Sequence, residues 1–402
     1  MANLLYLVHR LPYPPNKGDK VRSYHLLKHL VARHRVWLGT FVDDPDDEVY
    51  VDTLRALCGG LHVARLRPAA ARVRSLRALA SGDALTVHYY RDGGLARWVR
   101  RTLAEQHIDA AVVFSSSMAQ YVENVRGLRV LVDFVDVDSA KWEQYADNHS
   151  WPLSWLYRRE GQKLLECERR VAARAERSFF VTEDEAAMFG QLAPECASQV
   201  EPMCNGVDGD YFSPDPGRGS PFDDAELPLV FTGAMDYWPN VDAVCWFARE
   251  VLPVLRQRHP RVRFHIVGRA PAQAVQALAG DAVHVTGTVP DVRPYLQHAA
   301  VVVAPLRLAR GIQNKVLEAM AMARPVVASM SCAQPVRATL GHELLAAADA
   351  SEYVRHIGEL LSDPSLANML GAAGRRCVLS RYSWPVHLGG IDRHLETAGA
   401  AA

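Results

Sequence analysis

Short runs of Val, Leu and Phe alternate along this chain with longer stretches in which apolar residues recur every three or four positions. Residues 4–8, 36–42, 110–114 and 130–135 read as buried strands, and "KVRSYHLLKHLVARH" has helical spacing at Val21, Leu26, Leu27, Leu30 and Val31. A long connecting helix is expected over "SWLYRREGQKLLECERRVAARAERS", with a further strand in "SFFVT". Such alternation predicts a parallel sheet covered by helices on both faces.

The pattern breaks at "NGVDGDYFSPDPGRGSPFDDAELP", whose Gly, Pro, Asp and Ser mark a linker, and then restarts. "LVFTG", a helix from about residue 240 to 258, "VRFHIVG", "AVHVTG", "AAVVVAP" and "PVVAS" describe a second unit of the same kind. The expected organisation is an α/β chain of two Rossmann-like, doubly wound domains facing across a cleft. These are residues 1–205 and 206–380, with a closing helix in 381–402.

Composition narrows the chemistry. Lys plus Arg total 45 and so do Asp plus Glu, so bulk charge gives no reason to expect a nucleic-acid partner. The seven cysteines are scattered with no C-x-x-C pair, which predicts reduced thiols and a cytoplasmic setting. "MANLLYLVHR" holds too short an apolar run for a signal peptide, and no run is long enough to span a membrane. The P-loop, the dinucleotide G-x-G-x-x-G after the first strand, G-x-S-x-G and H-E-x-x-H are all missing.

The stretch "RGIQNKVLEAMA", residues 310–321, follows an apolar strand. Gly311, Asn314 or Lys315, and Glu318 would share one face of an opening helix, at offsets of three and four. Glycine admits a ligand to the backbone, and helix-start amides with Lys315 favour a phosphate. The Glu318 carboxylate, roughly 6 Å along the axis from Asn314, suits a pair of vicinal hydroxyls. Phosphate followed by a diol describes a nucleoside diphosphate; the competing reading is a solvated Lys315–Glu318 pair. The small residues of "EAMAMA" favour close packing on a sheet, and so a place in the cleft.

"MCNGVDGDYF", "LVFTGAMDYWPNVDAVCWF", "FHIVGRAP", "VTGTVPDVRPYL" and "KVLEAMAMARPVVAS" resemble, in order, the carboxyl half of retaining GT-B glycosyltransferases of the glycogen synthase and bacterial mannosyltransferase group. "LPYPPNKGDKVRSYHLLKHL" and "VDFVDVDSAKWEQYA" are similar to bacterial exopolysaccharide sugar transferases that accompany exosortase (PEP-CTERM) systems. The resemblance implies that Glu318 holds the ribose, Gly311 and Ile312 the diphosphate, and Thr288 with Val289 the base. Gly233 would face the diphosphate from the first strand of the domain, with Gly268 and Arg269 at the end of the next. The family's first glutamate is replaced by Arg310, and its Arg/Lys pair falls near Ala234 and Asn240. Phosphate neutralisation then passes to Arg269, Arg307, Arg310 and Lys315.

In the amino half, "PPNKGDK" matches the glycine loop under the acceptor, where Lys17, Gly18 and Asp19 meet the diphosphate or acceptor, or simply open a helix. Asp136 and Asp138 either orient the acceptor or cap the next helix. Lys17, Asp138 and Lys315 are the expected catalytic residues. "RLRPAAARVRSLRAL" carries five arginines, on a solvated face or against anionic lipid. The resemblance implies transfer of a sugar from a UDP- or GDP-linked donor to a glycan, lipid-linked or small-molecule hydroxyl, with retention and without a metal or other cofactor. It places the chain in the cytoplasm or on the inner face of the membrane. A nucleotide-sugar epimerase and a catalytically silent nucleotide-sugar-binding protein are the competing readings.

Overall fold

The computed structural model describes the chain except for Asn16, Lys17, Asn148, Arg310, Gly311 and residues 397–402. It divides into two compact units, one formed by residues 1–205 with the chain from His387 onward, the other by Gly206–Val386.

The first unit contains β1 (Asn3–Val8), β2 (Arg35–Val42), β3 (Gly60–Arg65), β4 (Ala110–Phe114), β5 (Arg129–Val135), β6 (Arg177–Phe180) and β7 (Val200–Pro202). They form one sheet in the order β3-β2-β1-β4-β5-β6-β7, and every pairing is parallel. The strand order reverses between β1 and β4, and there the connections leave toward opposite sides and open a crevice at the carboxyl ends. All five residues of β4 are buried, as its unbroken apolar sequence requires.

The second unit contains β8 (Leu227–Thr232), β9 (Val262–Val267), β10 (Val283–Gly287), β11 (Val301–Ala304), β12 (Val326–Ser329) and β13 (Leu345–Ala347). Its sheet runs β10-β9-β8-β11-β12-β13, again parallel, with the switch between β8 and β11.

Three features differ from the sequence reading. The helix expected over 240–258 is a continuous run of Trp238–Trp246, a π turn at Phe247–Val251, and Leu252–Arg258. Pro253 has no N–H for the carbonyl four residues back, and a π turn absorbs the loss. The Gly/Pro-rich segment after Asn205 is bound to the second unit. Phe212 and Phe222 pack on its core, and Arg375 Nη1 donates to the Phe212 carbonyl at 2.9 Å. The last helix, Trp384–Glu396, returns the chain to the first unit, where His29 Nε2 meets Asp392 Oδ1 at 2.9 Å. Among the described residues no helix is long and apolar enough to cross a membrane. All seven thiols are free.

Candidate functional site

In the second unit Gly233 and Gly268 directly follow the strands β8 and β9. A Cβ on Gly268 would lie 1.7 Å from the Gly233 carbonyl oxygen, so the two strand ends touch backbone to backbone. A Cβ on Gly233 would lie 2.8 Å from Asn240 Nδ2 and 3.1 Å from Lys315 Nζ. Gly268 therefore leaves room for the backbone of Gly233, and Gly233 for the side chains of Asn240 and Lys315. Gly268→Ala should destabilise the chain by about 3 kcal/mol or more, because a backbone carbonyl cannot yield as a side chain does. Urea unfolding checks this, and an unchanged midpoint would reject the close approach.

Lys315 is the second residue of the Asn314–Ala321 helix, which starts at Gln313 with no side-chain cap on its first amides. Its ammonium donates to Asn240 Oδ1 at 2.6 Å and lies 4.3 Å from the centre of the Phe231 ring. Asn240 is itself fixed, donating to the Ala234 carbonyl at 2.8 Å. Burial pushes the Lys315 ammonium down to about 8, against the opposing pull of Cys332 and Glu318. Burial likewise pushes the Glu318 carboxyl up to about 7, with Lys315 acting the other way. Among the described residues no donor hydrogen-bonds the Glu318 carboxylate. An under-solvated cation and an under-solvated carboxylate on adjacent turns of one helix are arranged to be completed by a ligand.

The other expected residues are placed as follows. Asn314 opens the helix, and Ile312 packs partly buried on the core of the unit. Thr288 and Val289 follow Gly287, whose carbonyl accepts from Gly268 N at 3.2 Å, so the expected base-reading loop adjoins the glycine pair. Arg269 is 3.6 Å from Asp236 and more than half exposed, at the rim of the site. Arg307 is engaged in two hydrogen bonds to Asp242, one of them at 2.9 Å. Arg310 and Gly311 lie outside the described residues, as does Lys17. Tyr211, from "GDYF", adds a neighbour that the sequence reading assigned no role. Burial raises its hydroxyl, with Asp291 and Glu318 adding to the effect, and Arg293 stacks 3.9 Å above its ring.

The first unit has a cavity of ≈ 560 Å³ at the carboxyl ends of β1, β4 and β5. His9, Asp19, Tyr90, Asp136, Asp138 and Trp142 line it. Two floor residues, Ser115 (φ 76°) and Val135 (φ 71°), hold backbone conformations that L-residues rarely adopt, Val135 despite its β-branch. Strain of this kind costs about 1–3 kcal/mol a residue and concentrates at functional sites.

Gly18, the first residue of the Gly18–Val31 helix, has open space where a side chain would begin. Asp19 receives Arg10 Nη1 at 2.6 Å and lies 3.5 Å from His9 Nε2. Burial alone would raise its carboxyl, but the His9 hydrogen bond and the Arg10 charge hold it well below the usual carboxylate range. Asp136 and Asp138 both accept from Lys141 Nζ, at 2.7 and 3.0 Å. The expected acidic pair thus carries its own counter-ion within the cavity wall. Lys141 was missed because a lysine three residues into a helix reads as surface charge.

Below the cavity the Gly18–Val31 helix is locked by two buried ion pairs. Arg22 meets Asp133 through Nε at 2.8 Å and Nη2 at 2.9 Å, and Lys20 meets Asp47 at 2.6 Å.

Comparison with known proteins bears on the domain family and the fold. Residues 226–363 match the family model of glycosyl transferases group 1. A GDP-mannose-dependent α-(1-6)-phosphatidylinositol monomannoside mannosyltransferase of Mycolicibacterium smegmatis is 29% identical over 266 residues, 60% of this chain and 66% of that protein. The match therefore spans just under two thirds of the relative's length. Among solved structures, sucrose-phosphate synthase from Thermosynechococcus elongatus superposes with TM-score 0.69 at 17% identity, covering 100% of both chains. Anabaena HepE in complex with UDP and glucose gives TM-score 0.67 at 15% identity, covering 99% of this chain and 100% of that one. The two-unit parallel α/β scaffold they share is GT-B.

Proposed function

We propose that this chain, a glycosyltransferase by its group 1 domain and its GT-B fold, moves a sugar from a nucleoside diphosphate donor to a hydroxyl acceptor with retention of configuration. The observation that carries the reading is the pairing of Lys315 and Glu318, both under-solvated, beside the Gly233–Gly268 contact. Lys315, the helix-start amides and the backbone around Gly233, Ile312 and Gly311 bind the diphosphate. Glu318 accepts from the ribose hydroxyls, and the loop at Thr288 and Val289 meets the base. As the bond from the anomeric carbon to the phosphate oxygen breaks, negative charge grows on the departing diphosphate, and the Lys315 ammonium stabilises it. The acceptor oxygen bonds the anomeric carbon and its proton passes to a donor phosphate oxygen. The cavity of the first unit, with Asp138 and the Gly18 loop, receives the acceptor. The acceptor is a lipid-linked or free glycan in exopolysaccharide or glycolipid assembly, at the inner face of the cell membrane.

UDP- and GDP-linked sugars are the donors this reading selects between, the mycobacterial relative being named for GDP-mannose and HepE for UDP and glucose. A thermal-shift screen of both series tests it, and stabilisation by one series is expected. No response to any nucleotide sugar would reject the proposal.

Charge on the diphosphate is met by amides and basic side chains, so turnover should survive EDTA. Loss of activity on chelation, restored by manganese, would reject that part.

Donor affinity should be greatest between about pH 7 and 8. Below about 7 the Glu318 carboxyl gains a proton and accepts less well, and above about 8 Lys315 loses its charge. Glu318→Gln should abolish the acid limb and Lys315→Met the alkaline limb. Dissociation constants from pH 6 to 9 read both, and a flat wild-type profile is the contrary result.

A further inference from the structure

Two neighbouring segments of the first unit present large apolar side chains to solvent. Trp151 is 80% exposed and Trp155 55%, with Leu153 between them, at the turn between the Asp138–Asp147 and Leu153–Arg174 helices. Val73 is 70% exposed, and Leu76 and Leu79 are also exposed, on the basic segment that includes the Pro68–Ser75 and Ala78–Ser81 helices. Polar contacts fix these segments side by side. Arg159 Nη2 donates to the Ala78 carbonyl at 2.8 Å and to the Asp83 carbonyl at 3.2 Å. The Glu160 carboxylate, fully buried, accepts from the amides of Leu85 and Thr86 at 2.7 and 2.8 Å. The exposed residues therefore belong to one rigid region.

The basic segment carries charge of one sign, while on the turn side Arg158 lies 3.5 Å from the exposed carboxylate of Asp147. Arg67, Arg72 and Arg77 are exposed on the basic segment, and Arg158 is exposed on the turn side. No Asp or Glu occurs between Asp52 and Asp83. Tryptophan and leucine at a protruding turn, flanked by arginines, match the layered chemistry of an anionic bilayer surface. The rings take the headgroup level, the aliphatic chains the acyl boundary, and the guanidinium groups the lipid phosphates. The region also adjoins the acceptor cavity, since Tyr145 of the same helix pair and Thr86 line that cavity.

We propose that this face, with Trp151, Leu153 and Trp155 at its tip and Arg72 and Arg77 beside it, docks the chain on anionic lipid, presenting the acceptor cavity toward lipid-linked hydroxyls. It deepens the membrane part of the function above and names the surface. Vesicle binding needs neither donor nor turnover, so its failure leaves glycosyl transfer standing, and failure of transfer leaves docking open to measurement.

The test is co-sedimentation of the full chain with vesicles of phosphatidylglycerol in phosphatidylcholine, against phosphatidylcholine alone. Trp151→Ser/Trp155→Ser and Arg72→Glu/Arg77→Glu are compared with Val254→Ser, an exposed apolar residue of the second unit. The wild-type chain and Val254→Ser should bind anionic vesicles, with binding falling as salt rises. Each double variant should lose at least about tenfold in partition, with an unchanged melting temperature. Equal binding to neutral vesicles, no binding, or unaltered binding by both double variants would overturn the proposal. Self-association of the wild-type chain in the ultracentrifuge, lost in Trp151→Ser/Trp155→Ser without vesicle binding, would also overturn it and assign the face to a protein contact.

Discussion

Replacing Lys315 with methionine will lower kcat/KM for glycosyl transfer by about 10²- to 10³-fold, the loss expected when one preorganised donor to a developing oxyanion is removed. The variant should nonetheless stay folded. The folded-state pKa of Lys315 is depressed from 10.5 to about 8. Its contribution to stability is therefore complete above about 10.5 and lost as pH falls through about 8. Near neutral pH the wild-type chain carries the cost of holding a desolvated ammonium, and methionine fills the same volume without it. Asn240 retains its bond to the Ala234 carbonyl. Kinetics and urea unfolding, measured together, separate the roles. Near-wild-type kcat/KM would show that the ammonium serves packing, through Phe231 and Asn240, and not the donor.

Glu318→Ala will raise the donor dissociation constant by about 10- to 150-fold, since a hydrogen bond to an ionised group contributes about 1.5–3 kcal/mol. Burial holds this carboxyl up at about 7, and among the described residues no protein donor meets it. In the proposed function ribose hydroxyls supply the missing donors. Removing the carboxylate removes a desolvated group, so the melting temperature of the free chain should hold or rise. Donor affinity equal to wild type would detach Glu318 from the ribose and leave it a coupled partner of Lys315 alone.

Much of the scaffold was legible because parallel strands buried on both faces are written as unbroken apolar runs. β4 and β11 are such runs throughout, β1 and β8 nearly so, and β2, β5 and β9 are mostly apolar with single interruptions such as Thr40, Asp133 and His265. β7 and β13 have three residues each, too few for any period to show, and β3 mixes glycine, histidine and arginine in a half-buried edge. The candidate donor site was proposed from residues clustered in sequence, and the structure puts Asn314, Lys315 and Glu318 on one helix. Asn240 as the partner of Lys315 was not legible, since a contact across 75 positions leaves no local pattern. The same limit hides partners in the first unit. Lys20 and Arg22 read as ordinary surface charges on a helix, yet both are buried and bound to Asp47 and Asp133. Asp136 and Asp138 were visible at a strand end, but not the Lys141 that neutralises them.

The account stands on the placement of a nucleoside diphosphate sugar at Lys315 and Glu318. Calorimetric titration of UDP-glucose and GDP-mannose, at pH 7.5, into the wild-type chain and into Lys315→Met/Glu318→Gln measures that placement most directly. One of the two ligands should bind the wild-type chain at one site per chain. Its affinity should fall by at least about a hundredfold in the double variant, while the urea midpoint is held. Equal affinity in both proteins, or no binding of either nucleotide sugar to the wild-type chain, would contradict it.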